Sequence, residues 1–380
     1  MITNMMKKLF LLILTLSATS FAAAQPTSEQ FRQLPQYDTA DEFLVFAPII
    51  QTSQISGANP NDRGRVQIAD GTLKADNGEL LRGEHLRISE MLAVPPTRTE
   101  TERMYDVDVW NDLIVNHHLN TVRLLMYRPP QHWDSTDPNG CSNPPERCYA
   151  SVNDILPHLD TAVEIASQMG MYVIIDYHPV GGYYKDDAVA WWTAIAPRYK
   201  DRTHVIYEVT NEPSTSAGSY SAELVQYEED MYTLIRSLAP DTHIILWSFA
   251  EWSGSNHDML DRIQEGPDIN YTNASVGFHP YSSLNPNELF ALNAAGLAII
   301  NTEIGGYSRD EYVQRTAAME QWQVNNVAKP ISWVWLDGSG YEKDWAETNP
   351  VPVTWPQDPG TRPTVVTGFE KLPLLPKSTP

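Results

Sequence analysis

The sequence predicts a (β/α)8 barrel with an N-terminal β-hairpin cap and a proline-rich C-terminal tail, and three observations carry that prediction. Short apolar runs rich in β-branched residues recur eight times. Segments of helical period lie between them, and the alternation fills the ~250 residues that such a barrel needs. A doubly wound open sheet, the rival arrangement, carries a glycine-rich phosphate loop after its first strand, and this chain has none there. With 380 residues, 42% hydrophobic and 19% charged, the chain can bury a large core. No repeat of ~20–50 residues recurs, which argues against a solenoid or propeller.

The N-terminus comes first. Lys7 and Lys8 precede the apolar run Leu9 to Leu16, and small residues end at Ala22-Ala23-Ala24 before Gln25. That is the layout of a secretory signal peptide, so residues 1–24 are expected to be removed and the protein to be secreted or periplasmic. The run falls short of the ~20 residues that span a bilayer, so no membrane association is expected after signal removal. Export suits the two cysteines, Cys141 and Cys148 in the segment CSNPPERC, whose closeness predicts a local loop disulfide rather than a zinc site.

Residues 25–82 form the expected N-terminal extension and cap. Within them, Asp70-Gly71 and Asn77-Gly78 are turn signals between short alternating runs, the pattern of a hairpin meander closing the barrel's bottom. The barrel itself is expected over residues 83–345. Its strands are read near Leu80 to Ile88, Leu119 to Met126, Met171 to Tyr177, His204 to Val209, His243 to Phe249, Ser275 to His279, Leu297 to Glu303 and Ile331 to Leu336. Helices are read over Val152 to Met169, from Ile155, Leu159, Val163 and Ala166, and over Ala222 to Leu238, from Leu224, Tyr227, Met231 and Ile235. Gly170 and Pro240 end these helices. In the tail, residues 346–380, prolines from Pro350 to Pro380 prevent a long helix or a central strand.

Charge and strand ends narrow the function. A formal net charge of −22 argues against nucleic acid as a partner. In a barrel of this kind functional residues stand at the carboxyl ends of the strands. There the chain places Arg123, Asp176-Tyr177-His178, Asn211-Glu212-Pro213, His279-Pro280-Tyr281, Thr302-Glu303, and Trp333 with Trp335. Glu212 and Glu303 would face each other across the mouth, as general acid/base and nucleophile at an acetal carbon require. That division of labour needs Glu212 in a drier setting and Glu303 held anionic by a cation such as Arg123. Glu208 and Asp176 lie inside their strands and are read as interior hydrogen-bonding groups. Trp191 and Trp192 are read as core. Trp133, Tyr183, Tyr184 and Trp252 either stack on pyranose faces or lie buried under loops, while Glu84 and Glu251 are further possible substrate contacts.

The series NTVRLLM, DYHP, YEVTNEP, FHPY, NTEIG and SWVW resembles the ordered motifs of glycoside hydrolase family 5, from about Gly83 to Leu336. The resemblance implies Glu212 as acid/base and Glu303 as a nucleophile that forms a covalent glycosyl-enzyme, with retention at the anomeric carbon. It further implies Asn211 on the sugar 2-hydroxyl, Arg123 beside the nucleophile, Tyr281 touching Glu303, His178 and His279 lining the cleaved bond, and Trp335 or Trp333 as the floor under a sugar ring. Tyr183 and Trp252 are candidate further substrate contacts. The chain departs from the family's cellulases at Gly83-Glu84-His85-Leu86-Arg87, where an Asn often follows the Gly, and at SWVWLDG, which lacks the usual Asn before its Trp. The expected substrate is a β-linked polysaccharide of β-glucan or β-mannan type, cut endo rather than exo by a monomer without cofactor or metal. A metal-dependent barrel hydrolase, suggested by ten histidines, and a non-catalytic carbohydrate-binding barrel are the competing readings.

Overall fold

The eight predicted strands are all present in the computed structural model, which describes residues 44–48, 57–86, 113, 119–127, 152–179, 182–214, 221–249, 259–266, 269–279, 286–305, 309–324, 327–336 and 369–373. The signal segment, Cys141 and Cys148, Trp133, Glu251, Trp252, Tyr281 and most of the tail lie outside the described residues. In chain order the strands are β1 (Leu44–Pro48), β2 (Gln67–Ala69), β3 (Thr72–Lys74), β4 (Arg82–Leu86), β5 (Thr121–Tyr127), β6 (Tyr172–His178), β7 (Val205–Glu208), β8 (His243–Phe249), β9 (Ala274–Phe278), β10 (Ile299–Ile304), β11 (Gln323–Val324), β12 (Val327–Ala328), β13 (Trp333–Trp335) and β14 (Phe369–Pro373). The helices are α1 (Val152–Met169), α2 (Lys185–Tyr199), α3 (Ala222–Leu238), α4 (Met259–Glu265), α5 (Pro286–Ala294) and α6 (Arg309–Glu320). Both helices predicted by residue range have the predicted bounds.

Strands β4 to β10 pair in parallel in sequence order, and β13 pairs with both β4 and β10. That double pairing closes the barrel. Side chains of successive strand residues alternate between the barrel interior and the helix layer. The inward set at the amino ends is apolar: Tyr172, Ile174, Ile206, Ile245, Ile300 and Val334 cluster with Leu73, Ala75 and Leu81. Outward neighbours such as Val173, Ile175, Ile244, Leu246 and Ile299 join the larger core beneath the helices.

The hairpin β2–β3 turns on Asp70 and Gly71, both at positive φ (54° and 81°), as a two-residue type I′ turn requires. Thr72 then pairs with Ile299 of β10 and its hydroxyl donates to the Ile299 carbonyl at 2.7 Å, which brings Leu73 under the interior cluster. At the other end of the chain, β14 runs antiparallel to β1, from Leu44 opposite Pro373 to Pro48 opposite Phe369.

Helix α1 stops at Gly170, whose φ of 69° is the left-handed conformation of a C-terminal cap. Helix α3 starts at Ser221, whose side chain accepts from the Leu224 amide. Trp191 and Trp192 of α2 are buried as expected. Among the described residues no helix is long and apolar enough to cross a membrane.

Candidate active site

The carboxyl ends of the strands carry a connected set of buried ionisable groups centred on Arg123 of β5. Its guanidinium donates through Nε to Glu208 Oε2 (2.6 Å), through Nη2 to Glu208 Oε1 (3.1 Å) and Asn211 Oδ1 (2.9 Å), and through Nη1 to Glu303 Oε2 (2.9 Å). Asp176 Oδ2 lies 2.9 Å from Nη2 and 2.5 Å from His178 Nδ1. One cation on β5 therefore orders residues of three other strands, β6, β7 and β10. The fork geometry of arginine, with donors fixed in a plane, suits that task where lysine would not.

Glu212 stands just beyond β7, at a φ of 39° that a side chain with a Cβ rarely adopts. The segment before it is tied on both sides. Val209 N donates to the Ile245 carbonyl at 2.9 Å, Asn211 N to the Tyr177 carbonyl at 2.8 Å, and the Thr210 hydroxyl is hydrogen-bonded to Tyr227 of α3. These bonds over-determine the backbone and hold the strained position. The Glu212 carboxylate accepts from His279 Nδ1 at 2.7 Å.

His279 bridges the two halves of the site. Its Nε2 lies 2.8 Å from the Thr302 hydroxyl, which itself donates to Glu208 Oε1 at 2.8 Å and so accepts from the ring. Both ring nitrogens thus donate, and His279 is an imidazolium. Burial disfavours that charge, but the negative charges of Glu303, Glu208 and Glu212 and the bond to Glu212 outweigh it and push the pKa up to about 9. Glu212, His279 and Glu303 bring one polar atom each within 4.8 Å of one another. In this structure the trio is held together by the ring's bond to Glu212 and by the attraction between its charges.

The remaining charges are distributed by the same forces. Burial and the Glu212 charge raise the Glu303 pKa against His279 and Arg123. Burial also opposes ionisation of Glu208, but Arg123 beside it prevails and holds it down at about 2. Asp176 takes the opposite direction, because burial and the charges of Glu208 and Glu303 outweigh the attraction of Arg123. His85, in contact with Arg123 and the Thr302 carbonyl, is kept neutral by burial and by the arginine charge.

The structure brings Arg123, His178, Asn211, Glu212, His279 and Glu303 together as the sequence predicts. It differs at three points. Glu303, with its side chain 6% exposed, is drier than Glu212 at 30%, the reverse of the expected order, because Glu303 is still on β10 while Glu212 has left β7. Neither Trp333 nor Trp335 floors the mouth. Ser332 and Val334 take the inward positions of this strand, so both indoles point to the helix layer, where Trp333 Nε1 donates to Glu320 and Trp335 Nε1 to Thr316, each at 2.7 Å. Tyr183 packs its ring 4.8 Å from that of Tyr227 on the outer core, which is the burial reading of that residue. Among residues given no role from sequence, His85, Ser248 and Thr302 are in contact with the charged set. For His85 and Thr302 the signal in the sequence is a polar residue at an inward position of a barrel strand, whereas strand alternation gives Ser248 no such position.

A closed parallel barrel whose mouth holds two carboxylates within a few ångströms, one on a buried arginine and one on a buried histidine, defines the barrel class with a carboxylate-pair site. The model of the family described as Cellulase (glycosyl hydrolase family 5) matches residues 92–341, well over half of the chain. The chain belongs to that family. It is 31% identical over 166 residues to Endoglucanase A of Evansella cellulosilytica, covering 41% of this chain and 33% of that one. It is 30% identical over 195 residues to Endoglucanase A of Butyrivibrio fibrisolvens, covering 49% of this chain and 41% of that one. The chain thus spans a third to two fifths of the length of these curated relatives. In fold it is similar to the catalytic domain of Thermobifida fusca endoglucanase Cel5A, with a TM-score of 0.51 at 23% identity, over 72% of this chain and 85% of that one.

Proposed function

We propose that the protein is a retaining glycoside hydrolase that cleaves β-glucan internally. The observation that carries this reading is the separation of Glu212 and Glu303, with an oxygen of each within 4.8 Å of the other. Retaining glycosidases hold their carboxyl groups ~5–5.5 Å apart, whereas inverting ones leave room for a water between them. The names of the endoglucanase relatives support β-glucan as the polymer and endo as the mode.

In the first step Glu212, which takes up a proton with the substrate, gives that proton to the glycosidic oxygen while the Glu303 carboxylate attacks the anomeric carbon. The C–O bond to the leaving sugar breaks and a glycosyl ester forms on Glu303. Arg123 holds Glu303 in line for this attack. Having given up its proton, Glu212 is the base of the second step. In the second step Glu212 takes a proton from water, the hydroxide attacks the anomeric carbon from the opposite face, and the Glu303 carboxylate leaves. Asn211, fixed by Arg123, is placed to hydrogen-bond the 2-hydroxyl of the sugar. Substrate lying over the mouth covers the exposed part of Glu212. His178 and Tyr281 are further substrate contacts in this reading. The enzyme works as a monomer without cofactor, after export and removal of residues 1–24, with Cys141 and Cys148 joined.

The test is a panel of soluble β-glucans, mannans and xyloglucan, with Glu212→Gln and Glu303→Gln as controls and the anomer of the first product followed by NMR. Release of the β-anomer by wild type and by neither variant is the expected outcome. First-formed α-anomer, or release by both variants, would overturn the reading.

A further inference from the structure

Strand β8 contains an irregularity on which the charged set depends. Leu246 pairs with Val276 and Phe249 with Phe278, so three steps on β8 oppose two on β9 and one residue is extra. That is a β-bulge. Its two residues, Trp247 and Ser248, both have positive φ (76° and 33°), which is strained for side chains carrying a Cβ.

The bulge decides which side chain enters the barrel. Ile244 faces the helix layer, Ile245 the interior and Leu246 the helix layer. Simple alternation would send Trp247 inward, onto Glu208 and Arg123, and Ser248 outward. Instead Trp247 stays in the outer core, with its ring stacked on Phe249 and its Nε1 donating to Tyr271 at 2.9 Å. Ser248 turns inward and donates to Glu208 Oε1 at 2.6 Å. The room it needs comes from Gly277, where a Cβ would meet the Ser248 Oγ at 2.9 Å and Ile245 Cγ2 at 3.0 Å.

Such a bulge leaves a backbone N–H without a ladder partner, and a buried one must find another acceptor. Here the Trp247 N–H donates to Glu228 Oε2 at 3.2 Å. Glu228 is the acidic member of the inward stripe of α3, between Leu224 and Met231, and it is fully buried. Its other oxygen, Oε1, has no hydrogen-bond partner.

We infer that Glu228 is a positioning residue for the carboxylate pair: it clamps the β8 bulge, the bulge aims Ser248 at Glu208, and Glu208 orients the Arg123 guanidinium that holds Glu303. The inference rests on the proposed hydrolase reading only for its kinetic consequence. Burial pushes the Glu228 pKa up to about 8, with the Trp247 N–H opposing and the Glu208 charge adding, so the group is neutral at ordinary pH. A neutral carboxyl whose carbonyl oxygen accepts one bond is mimicked by glutamine and not by leucine.

The experiment compares Glu228→Gln, Glu228→Leu, Ser248→Ala and the Leu/Ala double variant. Glu228→Leu is expected to lower kcat ~10-fold or more with KM within ~2-fold, and Glu228→Gln to keep wild-type kcat. The double variant is expected to lose no more than the worse single, since both act along one route. Amide hydrogen exchange of the segment 243–249 is expected to quicken in Glu228→Leu and not in Glu228→Gln. Full activity in Glu228→Leu, additive losses, or unchanged exchange would each overturn the clamp. Unchanged kcat in Ser248→Ala would also do so, whether or not Glu228→Leu folds. If wild type hydrolyses no β-glucan, the hydrolase reading fails by itself and the exchange comparison still decides the clamp.

Discussion

Arg123 Nη1 stands 2.9 Å from Glu303 Oε2 while the other end of the same guanidinium is gripped by both oxygens of Glu208. All three residues are buried, so the arginine is the countercharge that lets two carboxylates exist in the barrel interior. Removing one partner of such a group strands charge in a low-dielectric place.

Arg123→Met is therefore expected to lose ~3–5 kcal/mol of stability as well as activity. Urea unfolding measures the first and glucan hydrolysis the second. Arg123→Lys keeps the charge but not the fork, and is expected to fold better than the Met variant while staying far below wild type in kcat. A lysine variant with full kcat would show that the fork does not align Glu303.

The two glutamates are expected to differ in their dependence on the leaving group. Acid catalysis matters when the departing alcohol is poor and little when it is an activated phenol, whereas the nucleophile is needed for both. Glu212→Gln should thus lose ~10²–10⁴-fold on glucan and much less on a dinitrophenyl glycoside in the glycosylation step. Glu303→Gln should lose both. Equal losses in the two variants on both substrates would remove the distinction of roles.

The His279 imidazolium links stability to pH. Its pKa rises from 6.5 to about 9 on folding, so between those values the folded state binds more protons than the unfolded one and stability falls as pH rises. Its stabilising share is whole below the unfolded value and is lost as pH passes through about 9. The stability difference between wild type and His279→Gln, measured by urea unfolding from pH 6 to pH 10, is expected to favour wild type most at pH 6 and to shrink steadily. A difference that grows with pH would show that the ring is neutral in the folded protein.

Much of this was readable from sequence, for identifiable reasons. The strands are β-branched runs of ordinary length, and α1 and α3 carry apolar stripes at helical spacing, so tertiary packing reinforces local preference instead of overriding it. Glu212 and Glu303 were legible because they stand at strand ends, and Arg123 because it is a cation within an apolar barrel strand. Side-chain facing was less legible. HIILWSF reads as a regular strand, and nothing within it announces the extra residue, since the acceptor that stabilises the bulge sits nineteen positions earlier on a helix. For Trp333 and Trp335 the period was plain but its phase was not. The phase is set by Ser332, whose hydroxyl accepts from the Leu81 amide at 2.8 Å inside the barrel. The relative dryness of Glu212 and Glu303 depends on where each strand stops, a boundary that composition does not mark.

Gly71 provides a test of the hairpin that leaves the site untouched. Its φ of 81° suits glycine, and a Cβ built there would lie 1.8 Å from Asn293 Oδ1, a contact that forces the Asn293 side chain or the turn to move. Asn293 Nδ2 also donates to the Gly71 carbonyl at 3.2 Å, so moving that side chain breaks the bond tying the turn to α5. Gly71→Ala is expected to cost ~1–3 kcal/mol, since backbone strain and the displaced side chain add. Leu73, two residues on, belongs to the interior cluster at the amino ends of the strands, whereas Glu212 and Glu303 lie at the carboxyl ends. The loss should therefore appear as a lower thermal midpoint with kcat at 25 °C unchanged. A fall in kcat at full folding would mean that the hairpin's packing reaches the mouth through the layers of the barrel interior.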